Sequence, residues 1–125
     1  MNTTPKKVLV VEDEPDLREA LKTVLTQEGF EVAVAENGEE GLARALETKP
    51  NLILLDVVMP KMDGLTVLKK LREDEWGKKA KVIVMTALDD MEKVAEVVEA
   101  GASGYFVKSQ TPLNVIVGKV RETLA

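Results

Sequence analysis

The sequence predicts an open α/β domain, a doubly wound parallel sheet of five strands with helices on both faces. Three observations predict it. Five short apolar runs are each bounded by turn residues, as befits strands buried on both faces of a parallel sheet. After each run, apolar residues recur at helical spacing. The connections are short, which suits successive strand-helix units packed on one sheet. The central run, Leu52 to Asp56, is apolar until it stops on a carboxylate, and the chain then turns through Pro60 and Gly64.

In chain order, residues 8–11 form a β-branched first strand that ends on Glu12, Asp13 and Glu14. Pro15 suits the first turn of a helix, and Leu17, Ala20, Leu21, Val24 and Leu25 stripe one face until Gly29. Residues 31–36 carry valines on one face and alanines on the other, as suits a sheet edge. Asn37 and Gly38 turn the chain into a helix from about Glu39 to Thr48 that buries Leu42, Ala45 and Leu46, and Pro50 closes it. Beyond the central strand, Leu65, Leu68 and Leu71 line a helix ending near Gly77, with Trp76 at its far end.

Residues 81–87 make the fourth strand, which stops at the Thr86 hydroxyl. Asp89 or Asp90 caps the next helix, whose inner face is Met91, Val94, Ala95 and Val98, with Gly101 ending it. Residues 104–108 form a last short strand that finishes on Lys108. Thr111 and Pro112 read as a cap and first-turn pair, and Leu113, Ile116, Val117, Val120 and Leu124 stripe the final helix. Repeats, low-complexity segments and linkers are absent, so residues 1–125 read as one domain. Pattern alone leaves the strand order open.

Composition narrows the chemistry. A chain of 125 residues with 45% apolar content can bury one good core. Seventeen basic residues against 22 acidic ones give a net charge of -5, which argues against direct binding to nucleic acid or an anionic membrane. The absence of cysteine and histidine excludes disulfides, thiolate and imidazole chemistry and the usual zinc sites. Any metal must be a hard, oxygen-liganded one. No run approaches a membrane span and the first seven residues hold no signal-peptide core, so a cytoplasmic location is expected.

The strand ends share one property. Glu12 and Asp13 follow strand one, Asp56 ends strand three, Thr86 strand four and Lys108 strand five. In open α/β sheets this rim is where ligands bind. Each residue alone has an ordinary explanation: Glu12 to Glu14 as a solvated cluster at a helix start, Thr86 as a strand terminus, Lys108 as a surface charge, Tyr105 as a packing aromatic. Together they describe a site. Crowded carboxylates call for a cation, and without histidine or cysteine that cation is magnesium. Asp56 can then act as a nucleophile towards phosphorus, with the cation, the Lys108 ammonium and the Thr86 hydroxyl each neutralising one phosphoryl oxygen.

Glu12-Asp13, Asp56, the Met59-Pro60 and Asp63-Gly64 turn, Thr86-Ala87, Tyr105 and Lys108, in that order on five strands, give the whole chain a resemblance to the CheY-like receiver domain of two-component response regulators. The resemblance implies a flavodoxin-like fold with strand order 2-1-3-4-5. It implies that Asp56 accepts a phosphoryl group from a histidine kinase or phosphotransfer protein. Asp13, Asp56 and the Val58 carbonyl would bind Mg2+ (or Mn2+), Glu12 would assist through water, and Thr86 and Tyr105 would form the switch pair. Such a domain is a phosphoacceptor signalling switch rather than an enzyme, catalysing only its own Mg-dependent phosphorylation and slow dephosphorylation, and a monomer or phosphorylation-dependent dimer. Its output surface would be the fourth helix, fifth strand and last helix, with Val97 and Val115 as contacts to a downstream protein or output domain.

One departure is Ser109, where the family commonly has a proline after a cis peptide; a trans Lys108–Ser109 bond is expected, since a non-proline cis bond costs about 3 kcal/mol. Val58 and Leu88, both apolar, flank the phosphoryl position and predict slow self-hydrolysis. Two other functions use similar elements. A nucleotide or flavin binder on this fold wants a glycine-rich phosphate loop after strand one, where three acids stand here. An aspartyl-phosphate phosphatase wants a second aspartate two residues after the nucleophile, where Val58 stands.

Overall fold

The computed structural model describes residues 4–59, 61–87 and 91–125. Its strands are β1 (Lys7–Val11), β2 (Glu31–Ala35), β3 (Leu52–Asp56), β4 (Val82–Thr86) and β5 (Gly104–Val107), and each is followed by a helix: α1 (Pro15–Gln27), α2 (Gly38–Thr48), α3 (Gly64–Arg72), α4 (Met91–Glu99) and α5 (Leu113–Leu124). All strand pairs are parallel and the order is β2-β1-β3-β4-β5, the flavodoxin-like arrangement expected.

The side chains of each central strand alternate between two cores. Leu9, Val11, Ile53, Leu55, Val82 and Val84 meet Leu65, Leu68 and Leu71 of α3 and Val97 of α4 on one face. On the other, Val8, Val10, Leu52, Leu54, Ile83, Met85 and Phe106 meet Leu21 and Leu25 of α1 and Ile116, Val117 and Val120 of α5. At about 1.5–3 kcal/mol for each large aliphatic group buried, these two layers hold the sheet and fix its strand ends in space.

Local chemistry sets the helix starts. Asn37 Oδ1 accepts the Glu40 N–H (2.9 Å) to cap α2, and Asp63 Oδ1 accepts the Thr66 N–H (2.8 Å) to cap α3. The α5 start differs from expectation. Pro112 occupies the cap position, and the Thr111 hydroxyl donates back to the Val107 carbonyl (2.8 Å) instead of capping the helix.

Three further expectations are corrected. The third helix stops at Arg72, short of Gly77, because Asp74 Oδ2 accepts the Gly77 N–H (2.9 Å) and the Arg72 guanidinium takes the Gly77 and Ala80 carbonyls, which folds the chain into a short 3-10 turn over Gly77–Lys79. In α4 the stripe is rotated: Val97 is fully buried, whereas Val98 is 57% exposed and Ala95 is exposed. Val97 therefore belongs to the core and is no partner contact. Leu46 is more than one-third exposed, since Gly41 and Ala45 make the closest approach of α2 to the sheet. The expected caps Asp89 and Asp90, Leu88, Pro60 and the Met91 side chain lie outside the described residues. No cis peptide occurs among the described residues, so Lys108–Ser109 is trans, as expected.

Candidate functional site

Register brings the acids together. Val11 pairs with Leu55, so the next residues, Glu12 and Asp56, stand side by side at the carboxyl rim. Thr86 pairs with Val107, so Lys108 leaves the sheet one residue further on and reaches back over it. Its Nζ lies 3.0 Å from Asp56 Oδ2, 3.1 and 3.2 Å from the two Glu12 oxygens and 3.9 Å from Glu14 Oε1. Glu12 and Asp56 are buried, and Asp13 is half-buried beside them; one carboxylate oxygen from each of the three lies within 4.8 Å of the others.

The cluster is short of positive charge. Three carboxylates face one ammonium that bonds to two of them. Burial pushes the Glu12 carboxyl up to about 7, and the Asp56 charge adds to this against the opposing Glu14 N–H (3.0 Å) and Lys108. Burial also raises the Asp56 pKa, with Lys108 opposing. Burial works against the Lys108 charge, but hydrogen bonds to Asp56 and Glu12 outweigh it and hold the ammonium protonated above its ordinary range. Glu12 Oε1 is buried and accepts no hydrogen bond of good geometry, although the ammonium is close. An all-oxygen donor set with excess negative charge and an orphaned oxygen fits a hard divalent cation. A groove of about 720 Å3 between α3 and α4, lined by Arg72, Glu96 and Glu99 among others, lies at the opposite end of the sheet, away from these acids.

The loop after β3 closes tightly on the site. A Cβ on Gly64 would lie 2.1 Å from the Asp56 carbonyl oxygen, so only glycine fits, and the Gly64 N–H donates to the Val57 carbonyl (2.8 Å). The Val58 N–H makes a long contact to Asp56 Oδ1 (3.4 Å), and its side chain stands 64% exposed at the mouth. Thr86 is buried at the end of β4. Tyr105 pairs with Val84, two residues before Thr86 on the same sheet face, and is 41% exposed. The structure thus gathers Glu12, Asp13, Asp56 and Lys108 in direct proximity, with Thr86 on the same rim and Tyr105 at the open edge.

One neighbour escaped the sequence reading. Arg18 Nη1 donates to the carbonyls of Glu12 (3.1 Å) and Asp13 (3.5 Å), and Nη2 lies 3.7 Å from Glu36 Oε1. A signal was present. Arg18 is the fourth residue of α1, near a helix N-terminus where the macrodipole disfavours a cation by about 0.3–1 kcal/mol, so its placement asks for a tertiary reason.

Comparison with known proteins agrees with this geometry. Residues 8–120 match the response regulator receiver domain family. The chain is 37% identical over 124 residues to the DNA-binding response regulator MtrA of Mycolicibacterium smegmatis, covering 99% of this chain and 53% of that protein. It is 36% identical over 112 residues to the chemotaxis protein CheY of Thermotoga maritima, covering 89% and 92% respectively. The chain thus spans about half the length of curated relatives such as MtrA and nearly all of this CheY. Among solved structures, the CheX-CheY-BeF3-Mg2+ complex from Borrelia burgdorferi superposes with a TM-score of 0.87 at 30% identity, covering 97% of this chain and 90% of that one. With that match over most of its length and the β2-β1-β3-β4-β5 sheet described above, the chain belongs to the response regulator receiver domain family.

Proposed function

We propose that residues 1–125 form a single phosphorylation-dependent switch in which Asp56 accepts a phosphoryl group from a histidine kinase or phosphotransfer protein. The observation that carries this reading is the Lys108 ammonium 3.0 Å from Asp56 Oδ2 inside a buried three-acid cluster. Lys108 orients the Asp56 carboxylate by one oxygen, which leaves Oδ1 to form the bond to phosphorus as the bond to the donor nitrogen breaks. Its ammonium and the Thr86 hydroxyl then meet the phosphoryl oxygens. A Mg2+ (or Mn2+) ion held by Asp13, Asp56 and the Val58 carbonyl, with Glu12 through water, would supply further positive charge to those oxygens. BeF3 resembles a phosphoryl group in shape and charge, so the BeF3-Mg2+ complex of the Borrelia relative supports the same assignment.

Thr86 follows the phosphoryl group, Tyr105 responds to it on the same sheet face, and the state is read on α4, β5 and α5 by a downstream protein or output domain. The exposed Val98, Tyr105 and Val115 on those three elements support that surface. No helix among the described residues is long and apolar enough to cross a membrane, and a cytoplasmic switch is consistent with this. The test is intact mass after incubation with acetyl phosphate and Mg2+. One phosphoryl mass is gained by the wild type and none by Asp56→Asn or by either protein in EDTA; full labelling of Asp56→Asn would overturn the assignment.

A further inference from the structure

We propose that Arg18 is a positioning residue for the divalent-metal site, holding the loop between β1 and α1 so that the Glu12 and Asp13 carboxylates face Asp56. The proposal rests on the reading that these acids bind a cation. Its basis is how the loop backbone is gripped. Arg18 Nη1 donates to two consecutive carbonyls, Glu12 and Asp13, and the N–H of the same Asp13–Glu14 peptide donates to Glu12 Oε2 at 3.0 Å. That peptide plane is held at both ends. The Glu12 carbonyl that Arg18 grips belongs to the peptide just before Asp13, and the Glu12 N–H anchors that residue to the Ala35 carbonyl of β2 (3.0 Å), so the backbone on either side of the Asp13 Cα is tied down and the direction of its side chain follows.

The guanidinium is placed for this work. Its side chain is only 12% exposed, whereas its ionic partner Glu36 is 67% exposed, so Glu36 aims the group and contributes little else. The rigid guanidinium plane lets Nη1 meet the two adjacent carbonyls while Nη2 faces Glu36; a lysine ammonium carries the same charge on one flexible stem and cannot span both sides at once. This separates two possible roles by sign. A cation acting through its field would oppose metal binding, so removing it would tighten the site. A cation acting through the backbone would, on removal, free Asp13 and weaken the site.

The experiment is calorimetric Mg2+ titration of the wild type, Arg18→Lys, Arg18→Met and Glu36→Gln, with melting in EDTA to establish the folded fraction of each. Both Arg18 variants are expected to bind Mg2+ about tenfold more weakly per folded molecule, as other losses of outer-shell support do, with no rescue by lysine. Glu36→Gln is expected to change affinity by less than about fivefold. Wild-type affinity or tighter binding in Arg18→Met overturns the proposal, and so does full recovery in Arg18→Lys. If Arg18→Met does not fold, the lysine variant decides alone. A wild type that takes up no Mg2+ overturns the metal reading itself, an outcome distinct from a binding wild type matched by its variants.

Discussion

The two ends of the sheet handle charge in opposite ways. At the carboxyl end, Glu12, Asp13 and Asp56 crowd around one lysine, and the two buried acids are driven towards protonation. At the amino end, the Arg72 guanidinium donates from Nε to the Ala100 carbonyl (3.0 Å), from Nη1 to Gly77 and Ala80 and from Nη2 to Gly101 (2.8 Å). Burial lowers the Arg72 pKa, yet its donors meet the neutral backbone carbonyl oxygens of Ala100, Gly77, Ala80 and Gly101. Matched to dipoles, a charge ties α3, the 3-10 turn and the end of α4 together. Matched to too few counter-charges, three carboxylates keep a free-energy cost in the fold that a bound cation can relieve.

The contrast breaks most visibly at its stable end. Arg72→Met should cost about 3 kcal/mol in denaturant unfolding, several charge-assisted hydrogen bonds discounted for partial exposure, and the loss should be equal with and without Mg2+. A loss below about 1 kcal/mol would mean that water replaces the guanidinium and that the two ends differ less than the geometry shows. Next in size, Mg2+ at a hundred times its dissociation constant should stabilise the wild type by about 2.7 kcal/mol. Asp13→Asn should raise the metal-free melting temperature and abolish that increment; a destabilised metal-free variant would show that hydrogen bonding of Asp13 outweighs repulsion.

A pH series sharpens the same point. Glu12 and Asp56 both have pKa values raised by folding, so the native state favours their neutral forms. Their contribution is therefore complete below the ordinary carboxylate range and is lost as pH climbs through about 7, the Glu12 value. Metal-free protein should lose about 2 kcal/mol between about pH 5 and about pH 8, Glu12→Gln should flatten that slope, and Mg2+ should reverse it, because the cation prefers carboxylates. A metal-free stability that rises over this range would refute the charge imbalance. The smallest effect concerns lifetime. The Val58 side chain, exposed at the mouth, is apolar and offers no hydrogen bond to orient a hydrolytic water. Val58→Asn combined with Leu88→Glu should speed loss of the phosphoryl group about tenfold, or about 1.4 kcal/mol of barrier, followed by mass spectrometry over time.

Most of this contrast could be read from the sequence at one end and little of it at the other. Glu12, Asp13, Asp56 and Lys108 were legible because each follows an apolar run, and a parallel sheet carries all such run ends to one rim. Arg72 was hidden, since a basic residue in the last turn of a helix satisfies the macrodipole and needs no further explanation. The carbonyls that it binds come from residues up to 29 positions away, a distance that no local pattern encodes. The rotation of α4 has a different cause. Its apolar residues at 94, 95, 97 and 98 support two overlapping stripes, and only packing against the α3 side of the sheet selects the one containing Val97. Thr111 read as a cap because a hydroxyl before a proline fits that role locally, whereas the Val107 carbonyl competes for it in three dimensions.

Two missing methyl groups set the dimensions of the acid site. A Cβ at Gly38 would fall 1.9 Å from the Met62 carbonyl oxygen, and one at Gly64 would fall 2.1 Å from that of Asp56. The segment from β3 to α3 is therefore seated directly against two helix backbones, as a workpiece is seated against stops. Any larger residue at either position acts as a shim, pushing the strand end sideways by more than the few tenths of an ångström that the 3.0 Å contact between Lys108 and Asp56 can absorb. Neither glycine has any chemistry to offer, yet the tolerance to which the Asp56 carboxylate is held is machined by both.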